Sequence, residues 1–274
     1  MIKVGLLGCG AIGKSLAEAI DNNNAGDAEL VAIFDEYPDM MHNILNNVKH
    51  KPKEYNNFAV FIDKSGAELI VEAASKEAVD LYAEKILESR KDLMIMSVGA
   101  LMDNNLLERI MKTAKKCKKH VFIPSGAIGG IDVVKAAKIG GLTKVTLTTR
   151  KNPVALRYSP LFQKATMGKE VKKEIVIFEG YANEAVKAFP LNVNVSATLS
   201  LAGLGGEKTF VRVIADPSIT NNIHEIETEG VFGKMTIKLE NVTHPSNPKT
   251  SYLAVLSAIE TLRSISNTNM KIGT

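Results

Sequence analysis

Only two cysteines, Cys9 and Cys117, occur in 274 residues, and they stand far apart and outside any CxxC pair. That excludes a disulfide framework and a thiolate zinc site, so no metal is expected and a reducing cytosol fits. No window of about 18 apolar residues occurs, which excludes a membrane-spanning helix. The start, MIKVGLLGCG, has neither the charged leader nor the long apolar core of a secretion signal, and a cytoplasmic protein is expected. Charge of one sign is lacking too: 34 basic against 30 acidic residues leave a net +4. The basic residues are scattered apart from the KKCKK run at 115–119, which reads as a solvated helix end. No nucleic-acid partner is expected.

Apolar residues make up 45 % of the chain, enough for the core of one large or two modest domains. The stretch KVGLLGCGAIGKSLAEAI begins as a short apolar run and turns through Gly8, Gly10 and Gly13 in G-x-G-x-x-G spacing. It continues with Ile12, Leu16 and Ile20 at helical period. That is the strand, turn and helix of a dinucleotide site. Gly8 permits the tight turn, Gly10 lets a pyrophosphate approach the backbone, and Gly13 lets the helix pack on the strand. The helix start at Ala11 and Ile12 offers N–H groups to the phosphates. The next strand, ELVAIFD, ends at Asp35, 22 residues after Gly13, where a carboxylate accepts from the ribose hydroxyls and repels a 2′-phosphate. NAD is therefore the expected cofactor, with NADP as the alternative. The competing reading makes Asp35 the start of a turn with Glu36 and Pro38.

Strand-like runs at 58–63 (FAVFID), 67–75, 92–100 and 121–126 alternate with helical patterns at 76–90 and 103–120. Near-continuous apolar strands of this kind indicate a parallel sheet covered on both faces. Two strand ends, at Ala74 and Ser75 and at Ser97 and Gly99, are expected to line the cofactor crevice or else to be small packing residues. Beyond about residue 127, LTKVTLTTR, KEIVIFEG, TFVRVIADP, NNIHEIETEG and GKMTIKLENV alternate as strands of a mixed or antiparallel sheet. The expected class is α/β: a doubly wound, Rossmann-type parallel sheet over 1–124 and a second α+β domain over 125–248 for substrate binding and oligomerisation. A C-terminal helix at about 249–266 is expected to pack back on the first domain. The second sheet has more apolar-faced strands than one layer of helices covers, so a homo-oligomer, with a dimer favoured, is expected. Its strand NNIHEIETEG reads as solvent-edged, which would put His224 near the surface.

The stretches GCGAIG, PSGAIGGID, FPLNVNVSATLSLAG, IHEIETEG and HPSNPKTSYLAVLSAI together resemble the L-aspartate dehydrogenase family, in the same order and over nearly the whole chain. The resemblance implies oxidation of L-aspartate to iminoaspartate with NAD or NADP, a product that feeds quinolinate and NAD synthesis. It implies an architecture similar to homoserine dehydrogenases and dihydrodipicolinate reductases. It also places the catalytic histidine on His224 and the nicotinamide-side contacts on Ala127 and Asn194. An imidazole with a pKa of about 6.5 can accept the ammonium proton as hydride leaves Cα, or it can activate the water that hydrolyses the imine.

Asn192 and Asn194 precede the helix VSATLSLAG, where an asparagine serves as cap, as ligand, or as both. Arg150 is a candidate clamp for a substrate carboxylate, or a surface arginine at a strand end. Lys249, Thr250 and Ser251 offer charge, hydroxyls and N–H groups at the start of the last helix, or simply cap it. His42, His50 and His120 read as surface residues, and His244 lies in the loop before that helix. Two competing functions stand beside the dehydrogenase: a reductase or dehydrogenase of a related imine or semialdehyde on the same architecture, and a regulator that senses NADH without turnover.

Overall fold

The structure is a computed structural model; it describes residues 1–189, 194–245, 247–267 and 272–273, with the backbone alone at 187, 188 and 247–249. The chain divides into two units, Met1–Pro124 with Val255–Ile272, and Ser125–Ala254 with Gly273–Thr274.

The first unit holds a parallel sheet of β1 (Ile2–Leu7), β2 (Ala28–Phe34), β3 (Lys53–Tyr55), β4 (Leu69–Glu72), β5 (Asp92–Ile95) and β6 (Val121–Phe122). Its order, β3-β2-β1-β4-β5-β6, is that of a Rossmann sheet. Helices α1 (Ala11–Asp21), α2 (Pro38–Asn47), α3 (Phe58–Lys64), α4 (Lys76–Glu88) and α5 (Asn104–Cys117) connect the strands. Val4–Leu7 and Leu69–Glu72 are buried without interruption, as strands covered on both faces must be. The C-terminal helix (Tyr252–Ser266) sends Ala258 and Leu262 into this unit's core beside Val4, Leu16, Ile20 and Ile33.

Two local expectations need correction here. The run FAVFID is helix α3, not a strand: the Asn57 side chain accepts from the Val60 N–H as an N-cap, and the adjacent Phe61 and Ile62 are buried. The cap and the packing of Phe61 against Phe34 and Tyr55 override the strand propensity of the apolar run. The strand expected over 92–100 stops at Ile95 and gives way to a 3-10 turn at Val98–Met102.

The second unit is built on β7 (Leu142–Lys151), β8 (Ile175–Tyr181), β9 (Thr209–Ala215), β10 (Asn222–Gly230) and β11 (Gly233–Asn241), ordered β11-β10-β7-β9-β8. β7 and β9 run parallel and the other neighbours antiparallel, so the sheet is mixed. Helices α6 (Ile131–Ile139), α7 (Pro153–Leu156), α8 (Pro160–Thr166), α9 (Ala182–Ala188) and α10 (Asn194–Ala202) accompany it. α6 packs on β7, and α9 and α10 on β9. Alternation on β7 buries Val145, Leu147, Thr149 and Lys151 and leaves Thr146, Thr148 and Arg150 half-buried. β10 buries His224, Ile226 and Thr228 in the same way and turns Glu225, Glu227 and Glu229 outward.

β10 lies between β7 and β11 and pairs with both along its length. His224 is therefore only 3 % exposed and does not sit on a solvent-edged strand. The alternation was read correctly, but the strand outside it is a long-range feature. Two short strands, β12 (Thr243–His244) and β13 (Asn247–Ser251), pair with each other. Thr250 and Ser251 thus belong to a strand, and the helix starts after them at Tyr252.

Candidate active site

In the first unit the turn from β1 into α1 is shaped by backbone contacts. Gly8 has φ +98°, and a Cβ there would come within 2.6 Å of the backbone of Ala73 and Ala74; one on Gly13 would lie 2.1 Å from the Gly8 carbonyl oxygen. Gly10 faces open space, with nothing within 4 Å of a Cβ. It is the N-cap of α1 and makes no side-chain cap bond, so the first-turn N–H groups, at Ala11 and Ile12, are left to solvent or a ligand. Asp35, one residue past β2, accepts the Cys9 N–H at 2.7 Å through Oδ2 and the Tyr37 N–H at 2.9 Å through Oδ1. Each carboxylate oxygen retains capacity for a further donor. Lys14 is engaged with Asn43 at 3.3 Å and with Glu18. Burial, and then the Asp35 charge, push the Cys9 thiol up to about 12, so it stays protonated. Open space at Gly10, a helix start beside it and a ribose-level carboxylate fit the adenosine-diphosphate half of a nicotinamide dinucleotide.

Glu72, at the end of β4, is 1 % exposed and ties two loops together. Its carboxylate accepts the Ala74 N–H at 2.8 Å, the Ser97 N–H at 3.0 Å and the Ser97 hydroxyl at 2.8 Å. Burial raises its pKa, and the bonds from Ser97 and Ala74 oppose that rise. Ser75 caps α4 by accepting the Ala78 N–H at 3.2 Å, and Gly99 is buried in the 3-10 turn. Ala74 and Ser97 are thus held by one carboxylate, and Gly8 packs against the Ala73–Ala74 segment.

In the second unit His224 stands directly across from Thr149, and its Nδ1 lies 3.1 Å from the Thr149 hydroxyl. Burial and then the Lys151 charge pull the imidazole down to about 3. It is therefore neutral at physiological pH, well below the ordinary value expected of a histidine. Lys151 is only 7 % exposed, and burial pulls its amine down to about 8. Arg150, on the opposite face of β7, is paired with Glu174 and is not brought to His224.

Ala127 is buried, and its carbonyl accepts the Asn241 side-chain N–H at 2.7 Å. Asn194 is the exposed first residue of α10 and does not precede it. Asn192 lies outside the described residues, as does the side chain of Lys249. Thr250 is half-buried and Ser251 buried, both on β13. His244 is buried with its ring 5.6 Å from that of Tyr252, whereas His42, His50 and His120 are exposed. Among the described residues no cluster of His, Cys, Asp and Glu is arranged to hold a metal, and no helix is long and apolar enough to cross a membrane.

A family profile for the homoserine dehydrogenase NAD-binding domain matches residues 8–124, and one for the aspartate dehydrogenase C-terminal domain matches 132–265. The L-aspartate dehydrogenase of Methanosarcina mazei is 46 % identical over 275 residues, covering 100 % of both chains. That of Methanosarcina barkeri is 44 % identical over 97 % of each. The chain belongs to the aspartate dehydrogenase family. A crystal structure of aspartate dehydrogenase from Thermotoga maritima matches with a TM-score of 0.78 at 31 % identity, covering 99 % of this chain and 100 % of that one.

Two buried charged groups of this aspartate dehydrogenase family member, one in each unit, escape the sequence reading. Glu72 is a lone carboxylate closing an otherwise apolar strand, LIVE, and such a charge at the end of a buried run is a signal in itself. Lys151 follows Arg150 at the end of β7. The two-residue alternation places it with Leu147 and Thr149 on the buried face, which is the clue that separates the two neighbouring cations.

Proposed function

We propose that the chain oxidises L-aspartate to iminoaspartate, with His224 as the proton acceptor and NAD as the preferred cofactor. The observation that carries this reading is the end-to-end similarity to L-aspartate dehydrogenases, in a chain that buries a neutral imidazole at position 224. When bound, the nicotinamide supplies the acceptor for the hydride that leaves Cα. The substrate ammonium has to lose one proton so that the nitrogen lone pair can form the C=N bond as the C–H bond breaks. With Nδ1–H donating to the Thr149 hydroxyl, the Nε2 lone pair of His224 accepts that proton. The products are an iminium, a reduced cofactor and a protonated base. Asp35, held against the glycine turn by the Cys9 N–H, supports NAD over NADP because a 2′-phosphate would meet its charge. The roles that family resemblance gives to Ala127 and Asn194 belong to the same reading.

The imine product suits supply of pyridine-nucleotide synthesis. Two cysteines kept apart as buried thiols suit a reducing cytosol. A homodimer is part of the reading as well: Val231 and Phe232, at the turn between β10 and β11, are exposed at 83 % and 40 %, apolar surface that a second copy would cover. Light scattering at micromolar concentration checks this, and a monomer would contradict it. The enzymatic claim is tested by initial rates of cofactor reduction with L-aspartate, D-aspartate, L-glutamate and L-alanine, each with NAD and with NADP. Fastest reduction is expected with L-aspartate and NAD, and no reduction with L-aspartate under either cofactor would overturn the proposal.

A further inference from the structure

The segment that leads into α6 lies along one face of β11 and touches it at three successive places. The Ala127 carbonyl accepts the Asn241 side-chain N–H at 2.7 Å. A Cβ on Gly129 would lie 3.7 Å from Cδ2 of Leu239, and one on Gly130 2.2 Å from Cδ1 of Ile237. Asn241, Leu239 and Ile237 alternate along β11 and so share a face. Their partners on β10 are Asn222, His224 and Ile226. The segment from Ala127 to Gly130 therefore follows the row of cross-strand pairs that contains His224. Two of its three contacts are a glycine against an apolar side chain, which sets height above the sheet without fixing position along it, because such contacts have no preferred direction. The contact at Ala127 is different. A hydrogen bond is directional, and this one joins two residues that are each only 7 % exposed. Met235, Ile237 and Leu239 make the face apolar up to that point, and a buried amide after them costs free energy unless it is paired.

We propose that Asn241 is a positioning residue for the dehydrogenase reaction: it fixes the Ala127 segment along β11, so that the nicotinamide end of the cofactor meets the substrate in step with His224. The inference rests on the aspartate reading above, which gives Ala127 the nicotinamide-side contact and His224 the proton. Oxidation of an amine takes a proton from nitrogen and a hydride from the carbon bonded to it, so the two acceptors must hold their places relative to each other to within a fraction of an ångström. His224 is placed by its strand neighbours and by the Thr149 hydroxyl. The Ala127 segment is irregular chain, and the donor that ties it to the sheet stands two residues from Leu239, the partner of His224 on β11. One strand thus references both acceptors. Asn241 acts through the backbone of Ala127, and its effect is confined to the nicotinamide half of the cofactor.

The test compares NADH with ADP-ribose, which lacks the nicotinamide, in the wild type and in Asn241→Leu, a change that keeps the branched shape and removes the donor. Calorimetric titration is expected to show NADH bound about 5- to 30-fold more weakly by the variant, because a segment no longer held in place must be ordered by the ligand. ADP-ribose should bind within twofold of wild type. Turnover of L-aspartate should fall about 10- to 100-fold, the scale of a misplacement of about 1 Å, with KM for L-aspartate within about threefold. Asn241→Gln, which keeps the amide on a longer arm, should recover part of the NADH affinity and of kcat. Equal weakening of NADH and ADP-ribose would make Asn241 a support of the fold alone and overturn the proposal. So would NADH affinity and kcat both within twofold of wild type. The wild type supplies a second measurement that stands even if the variants do not fold: the Asn241 side-chain NH₂ signals in 15N NMR should shift with NADH and stay in place with ADP-ribose. No response to NADH, or the same response to both ligands, would overturn the proposal. Because neither ligand needs turnover to bind, absence of aspartate oxidation would sink the functional reading while leaving the Asn241 test in force.

Discussion

The Nδ1 of His224 lies 3.1 Å from the hydroxyl of Thr149, its cross-strand partner in an interior pair of the mixed sheet. That bond sets the plane of the ring and, if the ring nitrogen donates, leaves Nε2 as the proton acceptor. Thr149→Val keeps the volume and removes the oxygen. Its kcat for L-aspartate is expected to fall about 2- to 10-fold, the range for one neutral hydrogen bond, with KM little changed. Thr149→Ser should keep most of the rate. A Thr149→Val enzyme with wild-type kcat would show that the bond does not orient the base.

Asp35 accepts the Cys9 N–H and so links the tip of β2 to the glycine turn. Asp35→Ala is expected to weaken NAD by about 1.5–3 kcal/mol, because the ribose hydroxyls lose a charged acceptor. NADP should suffer far less, since repulsion of its 2′-phosphate disappears as well. Dissociation constants for both cofactors, measured by isothermal titration calorimetry, decide it. Equal losses would remove Asp35 from the ribose site.

The glycines of the turn separate packing from binding. A Cβ at Gly13 would sit 2.1 Å from a backbone oxygen, so Gly13→Ala is expected to destabilise the fold by about 1–3 kcal/mol. At Gly10 a Cβ meets nothing within 4 Å, so Gly10→Ala should melt like the wild type and bind NAD more weakly, because the methyl group occupies the approach of the pyrophosphate. Melting curves with and without NAD distinguish the two; a Gly10→Ala protein that binds normally would contradict the assignment.

These residues were legible from sequence because each answers a local demand: a turn, a close approach, or a carboxylate at a strand tip. The parallel order of the first sheet follows equally from alternating strands and helices. What sequence did not reveal depends on distant partners. FAVFID looks like a strand until Asn57 is seen capping it. His224 looks solvent-edged because nothing in NNIHEIETEG announces that β11 pairs outside it. Arg150 draws attention as a carboxylate clamp, yet alternation on β7 gives the buried face to Lys151. Glu72 is invisible as a loop tie until Ala74 and Ser97 are both found on its carboxylate.

The buried imidazole also carries a pH signature. Its value is 6.5 when unperturbed and about 3 in the fold, so on acidification the unfolded chain takes up a proton that the folded chain refuses. Its contribution lowers stability progressively as pH falls from about 6.5 to about 3, by up to about 1.4 kcal/mol per pH unit. Lys151, at 10.5 unperturbed and about 8 in the fold, acts in the same sense at higher pH, adding stability as pH rises from about 8 to about 10.5. Urea midpoints measured across pH should show a shallower acid slope in His224→Gln than in the wild type. Parallel curves would mean that His224 protonates as readily in the folded protein as in the unfolded chain.

The most direct measurement is turnover of L-aspartate by His224→Ala alongside its affinity for NAD. Loss of the proton acceptor should lower kcat about 10²- to 10⁴-fold while the NAD dissociation constant stays at its wild-type value, since the glycine turn and Asp35 are untouched. His244→Gln, altered at the buried ring that packs on Tyr252, serves as the control and should retain turnover within a few-fold. Near-normal turnover in His224→Ala, or a loss of turnover that follows His244 instead, would contradict the assignment of the base to His224.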